Sequence, residues 1–179
     1  MQKEIIISGF GGQGVLSMGK VLAYAGMMQD KEVTWMPSYG PEQRGGTANV
    51  TVIISDRMIA SPVTEQCDIA VVLNQPSLDR FQEKVRPGGI ILYDPSTIAT
   101  PPTRTDISVY SIEAAKESAV MGNGKLMNML LLGGLIKASG VAEVENVVDG
   151  LYKSLPQRYH HMIPANREAV LRGMSLIGN

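Results

Sequence analysis

The stretch "EIIISGFGGQGVLSMGKVLAYAGMM", residues 4–28, decides the fold. Glu4 to Ser8 is a short run of β-branched apolar residues, the composition of a buried strand. Glycines follow at 9, 11, 12 and 14, and apolar positions then recur at Leu16, Val21, Leu22, Ala25 and Met28, which predicts a packed helix over 13–28. Strand, glycine turn and helix in that order open an α/β fold. Gly9-Phe10-Gly11-Gly12-Gln13-Gly14 also satisfies G-x-G-x-x-G, a spacing that permits a tight turn and lets backbone N–H groups at a helix N-terminus approach an anion.

The same glycines have two readings: they turn the chain against its sheet, or they hold a phosphate-bearing ligand. Two common ligands fit badly. A dinucleotide site wants an acidic residue at the end of the second strand, where this chain has Trp35-Met36-Pro37-Ser38. Gly14 to Lys20 overlaps the phosphate-loop pattern G-x-x-x-x-G-K, but Val21 stands where a magnesium-binding hydroxyl is needed. What remains is a phosphate or diphosphate carried by neither NAD nor ATP.

Beyond the opening, a strand is expected over 32–36, ending at Pro37, followed by the polar, glycine-rich loop "SYGPEQRGG" at 38–46 and the β-rich segment "TANVTVIIS" at 47–55. Two further strand–helix units are read in "DIAVVLNQPSLDRFQEKV" and "GGIILYDPS", with strands ending at Asn74 and Asp94. "DISVYSI" is a last short strand, and helices follow in "LMNMLLLGGLIKA", "VENVVDGLYKSL" and "NREAVLRGMSLI". The fold class is therefore α/β, an open, mostly parallel, doubly wound sheet flanked by helices, with a helical C-terminal portion. With 179 residues and 44% hydrophobic content the chain is expected to be one domain, 1–179.

Composition narrows the chemistry. The single cysteine, Cys67, cannot form an internal disulfide or hold an iron–sulfur cluster alone, and no adjacent cation lowers its pKa. His160 and His161 are adjacent rather than at the i, i+4 spacing of a helical metal site, and are read as surface or interface residues. A net charge of −1 and 5% aromatics argue against nucleic acid as a partner. No apolar run approaches the roughly 20 residues that cross a bilayer, and the start "MQKEIII" lacks a signal-peptide pattern, so a cytoplasmic location with no membrane association is expected. The 11 methionines, among them Met127 and Met129, are read as core and interface filler.

The segment "PSYGPEQRGGTANVTVIIS" is the more specific signal, since a loop holding Pro37, Tyr39, Glu42, Arg44 and the Gly45-Gly46 pair is too polar for a core. Arg44 is able to pair with a ligand carboxylate or phosphate, or simply with Glu42 inside the loop. Asn74, Gln75 and Asn128 are polar where apolar residues would fit; they line a cleft or serve as caps and buried hydrogen-bond partners.

"GFGGQGV", "WMPSYGPEQRGGTANVTVIIS" and Ser61-Pro62 together closely resemble the gamma subunit of 2-oxoacid:ferredoxin oxidoreductases. The resemblance is strongest over residues 5–62 and weaker over the helical end. It implies a subunit, inactive by itself, of an enzyme that oxidatively decarboxylates a 2-oxoacid to an acyl-CoA and passes two electrons to ferredoxin. Pyruvate, 2-oxoglutarate and ketoisovalerate all remain open as substrates. Thiamine diphosphate and the iron–sulfur clusters are then expected on alpha and beta partner chains, with a ferredoxin-like delta subunit as a further partner, and none on this chain. The gamma part is similar to the region lining the coenzyme A site, so the implied ligand is coenzyme A. Its implied contacts are Gly9, Gly11, Gly12, Gln13, Gly14 and Lys20, with Tyr39, Arg44, Gly45, Gly46 and Thr47 shaping the entrance together with Gly40, Pro41 and Glu42. Lys20, six residues past Gly14, reaches either the ligand or solvent and a partner chain. The competing reading is a stand-alone nucleotide-binding regulatory module. No residue is expected to act as a catalytic acid or base, and no metal ligand is assigned.

Overall fold

The computed structural model describes residues 1–39 and 46–178. Six strands form one sheet in the order β2-β3-β1-β4-β5-β6, where β1 is Gln2–Phe10, β2 Glu32–Tyr39, β3 Thr47–Ser55, β4 Cys67–Val72, β5 Val85–Tyr93 and β6 Ser108–Ser111. β1, β4, β5 and β6 are mutually parallel, and β3 runs antiparallel to both β1 and β2. One strand of six is thus reversed, and the sheet is mixed but mostly parallel. The helices are α1 (Val15–Met27), α2 (Gln75–Phe81), α3 (Ala114–Val120), α4 (Met127–Ser139), α5 (Val144–Ser154) and α6 (Ile163–Ser175).

The uninterrupted apolar runs of β1 and β4 follow from burial on both faces. Ile5 and Ile7 of β1, Val50, Val52 and Ile54 of β3, and Ile69 and Val71 of β4 enter a large core with α1, α4, α5 and α6. Ile6, Ala70 and Val72 point the other way, onto Leu78 and Phe81 of α2 and Ile98. α1 and α2 therefore leave neighbouring parallel strands on opposite faces of the sheet. The C-terminal ends of β1 and β4 are thus a topological switch point, the place where ligands gather in open α/β sheets.

Two local expectations are corrected. Pro37 does not end the second strand; it lies within β2, opposite Val50. It is tolerated because β2 is an edge strand, with one side of its backbone needing no ladder partner. The segment after β5 opens no helix, and 94–107 runs to β6 as an irregular connection. Here Asp94 is buried and spends one carboxylate oxygen on Ser96 N and Oγ, at 2.8 and 2.6 Å, and the other on Ala115 N of α3 at 2.8 Å. The carboxylate thus serves its own turn and a helix about twenty residues later.

At the N-terminal ends of the strands, Arg86 reaches Glu4 at 2.7 Å and Asp68 at 3.2 Å. Burial pushes the Glu4 carboxyl up, but hydrogen bonds from Thr64, Arg86 and Gln2 outweigh it and hold the group below its ordinary range. A carboxylate with a lowered folded-state pKa stabilises fully above its unfolded value and loses that contribution as pH falls through the folded value. We expect denaturant midpoints to drop through the acidic carboxylate range, and to drop less steeply in Arg86→Met.

α4 is buried along Met129–Ile136, between the sheet and α6. The two helices cross at Gly133 and Gly173, where an added Cβ would stand 2.0 Å from Val170 O and 1.9 Å from Leu130 O respectively. Backbone cannot yield as a flexible side chain does. Alanine gains about 1 kcal/mol of helix propensity over glycine, whereas overpacking costs about 3 kcal/mol when backbone must shift. Gly133→Ala and Gly173→Ala are therefore each expected to lower the melting temperature, the opposite of a helix-propensity gain.

Candidate functional site at the first crossover

The turn after β1 is built by four bonds. Gly11 N donates to Gly46 O at 3.0 Å, tying the turn to the start of β3, and Gln13 N donates to Phe10 O at 3.2 Å. The Gln13 side chain does the rest: its Oε1 accepts from Phe10 N at 2.6 Å and its Nε2 donates to Leu73 O at 3.1 Å. One residue thus closes its own turn and fastens it to the end of β4. Gly9 makes room, since a Cβ there would meet Gln13 Oε1 at 2.5 Å.

Gly12 has φ 96° and Gly14 φ 78°, both in the left-handed region that favours glycine. Their surroundings differ. Among the described residues a Cβ at Gly12 meets nothing within 4 Å, so this corner is open to them, whereas at Gly14 it would meet Asn128 Nδ2 at 2.6 Å. Gly14 is the N-cap of α1 and has no side-chain cap; its carbonyl accepts the first helical bond, from Met18 N at 2.9 Å. The first-turn N–H groups of Val15, Leu16 and Ser17 therefore have no intrahelical acceptor. No acidic residue lies in that turn. An uncapped helix start of this kind attracts anions through its partial positive charge.

Of the implied contacts Gly11, Gly12, Gln13 and Gly14, the N–H groups of Gly11 and Gln13 are spent within the protein, which leaves, among the described residues, those of Gly12, Gly14 and the first turn of α1 as the donor set. Gly46 and Thr47 join the site through the Gly11 bond and the pairing of Thr47 with Phe10. Tyr39 is 67% exposed at the end of β2 and pairs with Ala48, itself opposite Gly9, so it stands two strand spacings, about 10 Å, from the turn. Lys20 is exposed on α1, about 9 Å along the helix axis from Gly14. Arg44 and Gly45, with Gly40, Pro41 and Glu42, lie outside the described residues.

The polar residues at these strand ends make structural bonds, and among the described residues Asn74 Nδ2 is buried without a partner. Asn74 Oδ1 caps α2 through Ser77 N at 2.8 Å, and Ser77 Oγ accepts from Ser8 Oγ at 2.8 Å beneath the site. Gln75 is tied to Thr100, whose N–H donates to its Oε1 at 2.9 Å. Asn128 packs on Gly14, with Nδ2 3.5 Å from its carbonyl oxygen. The clamp by Gln13 and the contact of Asn128 join residues far apart in the chain, and no local pattern announces either. Cys67 is buried, and desolvation together with the charge of Asp68 pushes its thiol up to about 12, so it is no nucleophile. Among the described residues no group of three His, Cys, Asp or Glu side chains is placed to hold a metal ion, and no helix is long and apolar enough to cross a membrane.

The family model described as pyruvate ferredoxin/flavodoxin oxidoreductase matches residues 4–176. The chain belongs to that family. Within the oxidoreductase family it is 44% identical over 144 residues to a ketoisovalerate oxidoreductase subunit VorA of Methanothermobacter marburgensis, a match covering 79% of this chain and 29% of that protein. The chain thus spans under a third of the length of this curated relative. Its fold matches the gamma subunit of a keto/oxoacid ferredoxin oxidoreductase from Geobacter sulfurreducens with a TM-score of 0.83 and 27% identity, covering 98% of this chain and 96% of the other. It also matches 31% of the 2-oxoglutarate:ferredoxin oxidoreductase of Magnetococcus marinus, solved with 2-oxoglutarate, coenzyme A and succinyl-CoA bound, at a TM-score of 0.87 over 98% of this chain. At 22% identity that last likeness is one of fold.

Gln13→Glu keeps the acceptor for Phe10 N but replaces the donor to Leu73 O with an oxygen facing an oxygen. A loss of about 1–3 kcal/mol is expected from that unsatisfied, part-buried pair. Urea denaturation of the variant measures it.

Proposed function

We propose that this chain is the gamma component of a thiamine-diphosphate-dependent 2-oxoacid:ferredoxin oxidoreductase, and that its part is to hold the anionic end of coenzyme A and to help assemble the enzyme. The overall reaction consumes a 2-oxoacid, coenzyme A and two oxidised ferredoxins. It yields an acyl-CoA, carbon dioxide, a proton and two reduced ferredoxins. Carbon–carbon cleavage and electron transfer belong to alpha and beta chains carrying thiamine diphosphate and iron–sulfur clusters, with a ferredoxin-like delta chain as a further partner. A chain whose single cysteine is buried and held as a thiol supplies no cluster ligand set of its own. On this reading residues 1–179 form one domain and work in the cytoplasm.

The observation that carries this reading is the Gly12 corner, open among the described residues, beside the uncapped start of α1, set at the point where neighbouring strands send their helices to opposite faces. Backbone donors there are fixed before a ligand arrives and bear no titratable group. They suit a diphosphate without magnesium. Gly9, Gly12, Gln13, Gly14, Gly46 and Thr47 form or brace the cradle, and Lys20, Tyr39, Arg44 and Gly45 flank it. Support for the identity of the ligand comes from family membership and from the shared fold of an enzyme solved with coenzyme A bound.

Gly12→Asp places a carboxylate in the open corner, and is expected to raise the KM for coenzyme A by about tenfold or more in the assembled enzyme while leaving the KM for the 2-oxoacid nearly unchanged. Gly12→Ala controls for backbone strain at the same φ. A parallel rise in both KM values would instead report damaged assembly. If the tagged chain, recovered from its native extract, brings down no thiamine- or cluster-containing chain, the assignment as a subunit fails.

A further inference from the structure

The two faces of the sheet are covered unequally. On β2 and β3 the helix that packs is α1, on the side of Val50, Val52 and Ile54. α2 lies on the other face, but over β1 and β4, against Ile6, Ala70 and Val72. Among the described residues, that second face carries no closely packed helix beyond β1. Alternation and register place on it Met36 and Ser38 of β2, Asn49 and Thr51 of β3, and the end pair Thr47 and Phe10. Phe10 is 38% exposed, Ser38 and Thr47 are exposed, and Met36, Asn49 and Thr51 are partly so. None of the six is ionisable. The chain's outer helices, by contrast, carry the ion pairs Arg172–Glu117, Arg167–Glu145 and Lys116–Glu113. Depletion of charge on an accessible face is the mark of an interface centre, not of a surface left to water.

Resting on the subunit reading above, we infer that this uncovered half-face of the sheet is where the chain docks on its alpha partner, which meets it with an uncharged surface of its own. A strongly charged occupant would have its ions stripped of water opposite Met36, Thr51 and Phe10 with no counter-ion to meet them. Size points the same way. In the ketoisovalerate relative and in the Magnetococcus enzyme the matching part is 29% and 31% of one polypeptide, so there the fold is joined to a much larger remainder. Lasting contacts of that kind are the less charged ones. Three strands across and about five residues along cover about 10 by 17 Å, the centre of a standard interface and not all of one. The connection from β3 to β4 extends it: Thr64 ties that segment to Glu4 of the same face, and Met58 and Val63 within it are 88% and 66% exposed. At the other end stands Phe10, whose N–H the Gln13 clamp holds. A partner seated here reaches the strand ends from the face opposite α1, so a ligand held at the glycine turn would meet the partner's reaction centre along one boundary.

The test uses the full chain co-expressed with alpha and beta chains. Thr51→Lys, in the middle of the face, should leave the melting temperature of the isolated chain within about 2 °C and cut the alpha chain recovered with it about tenfold. Thr51→Val should restore recovery, and Val120→Lys, at a 72% exposed position on α3, should not disturb it. A second readout does not depend on tolerance at Thr51. Cys67 is buried with its thiol pushed up, so Ser38→Cys supplies one fast-reacting thiol. Its labelling by a maleimide should slow about tenfold in the assembled enzyme, while Ser175→Cys, exposed on α6, keeps its rate. Unchanged labelling at position 38 on assembly, or recovery lost in Val120→Lys but not in Thr51→Lys, would put the contact on the helical layer and overturn the inference. Protection of Ser38→Cys in the isolated chain, rising with its concentration alongside a dimer mass, would make the occupant a second copy and overturn it too. If the wild-type chain recovers its partners and Thr51→Lys recovers as much, the docking face alone fails. If the wild-type chain recovers neither, the subunit reading fails with it.

Discussion

The clamp that Gln13 makes between the end of β1 and the end of β4 is the constraint on which the site depends. Its two amide atoms satisfy an N–H at the last residue of one strand and a carbonyl just past the end of the next. Those strands flank a topological switch point because α1 and α2 depart on opposite faces. Without a tie across it, the turn would be anchored only by Gly11 to β3. With the tie, the N–H groups that start α1 are fixed in direction, which is what a field built from backbone dipoles requires. The charged network of Glu4, Asp68 and Arg86 lies at the other end of the strands. The electrostatics of the candidate site therefore come from backbone geometry, and those of strand anchoring from side chains that titrate.

Glycine serves three separate physical ends in this chain. At Gly12 and Gly14 it supplies backbone angles that side chains resist; at Gly19 and Gly26 it lets α1 settle onto Val50, Val33 and Ile54; at Gly133 and Gly173 it lets two helices cross with backbone nearly in contact. Only the first of these bears on a ligand. The G-x-G-x-x-G pattern conflates two of the roles, since its first glycine, Gly9, is there to admit the Gln13 side chain. The pattern marks a place where the chain must be thin, and the open corner at Gly12 marks where something else can come close.

Much of this was legible in the chain itself, because the physical causes are local. "EIII" and "IAVV" lack polar alternation and are the strands buried on both faces, while "TANVTVIIS" alternates through Ala48, Asn49, Val50, Thr51 and Val52 as a strand with one less-covered face does. The errors arose where context overrides local preference. Pro37 breaks a central strand but not an edge strand, and nothing near it in sequence says that β2 is an edge. Asp94-Pro95-Ser96 has the look of a helix start, but the carboxylate caps α3 from a distance. The cradle glycines were legible by spacing; the spending of the Gly11 and Gln13 N–H groups was not, because their positions depend on β3 and on the turn closing back on Phe10.

The helical C-terminal portion, where the resemblance in sequence is weakest, has a part in fixing the site. α4 begins beside Gly14, where Asn128 packs, and its far end, at Ala138 and Ser139, lines a depression with Lys3, Asp68 and Arg86 at the opposite ends of the strands. Thirteen residues of helix cover about 20 Å, the depth of the sheet. Because α4 is buried on all sides along its middle and crosses α6 with no room for a Cβ, it is unable to slide without opening a gap or a clash. The carbonyl of Gly14, from which α1 starts, therefore sits between two stiff supports: the Gln13 clamp on the sheet side and the α4 rod on the other. The crossing glycines and the Asn128 amide beside Gly14 thus help to set the direction of the α1 donors from the helical side as well.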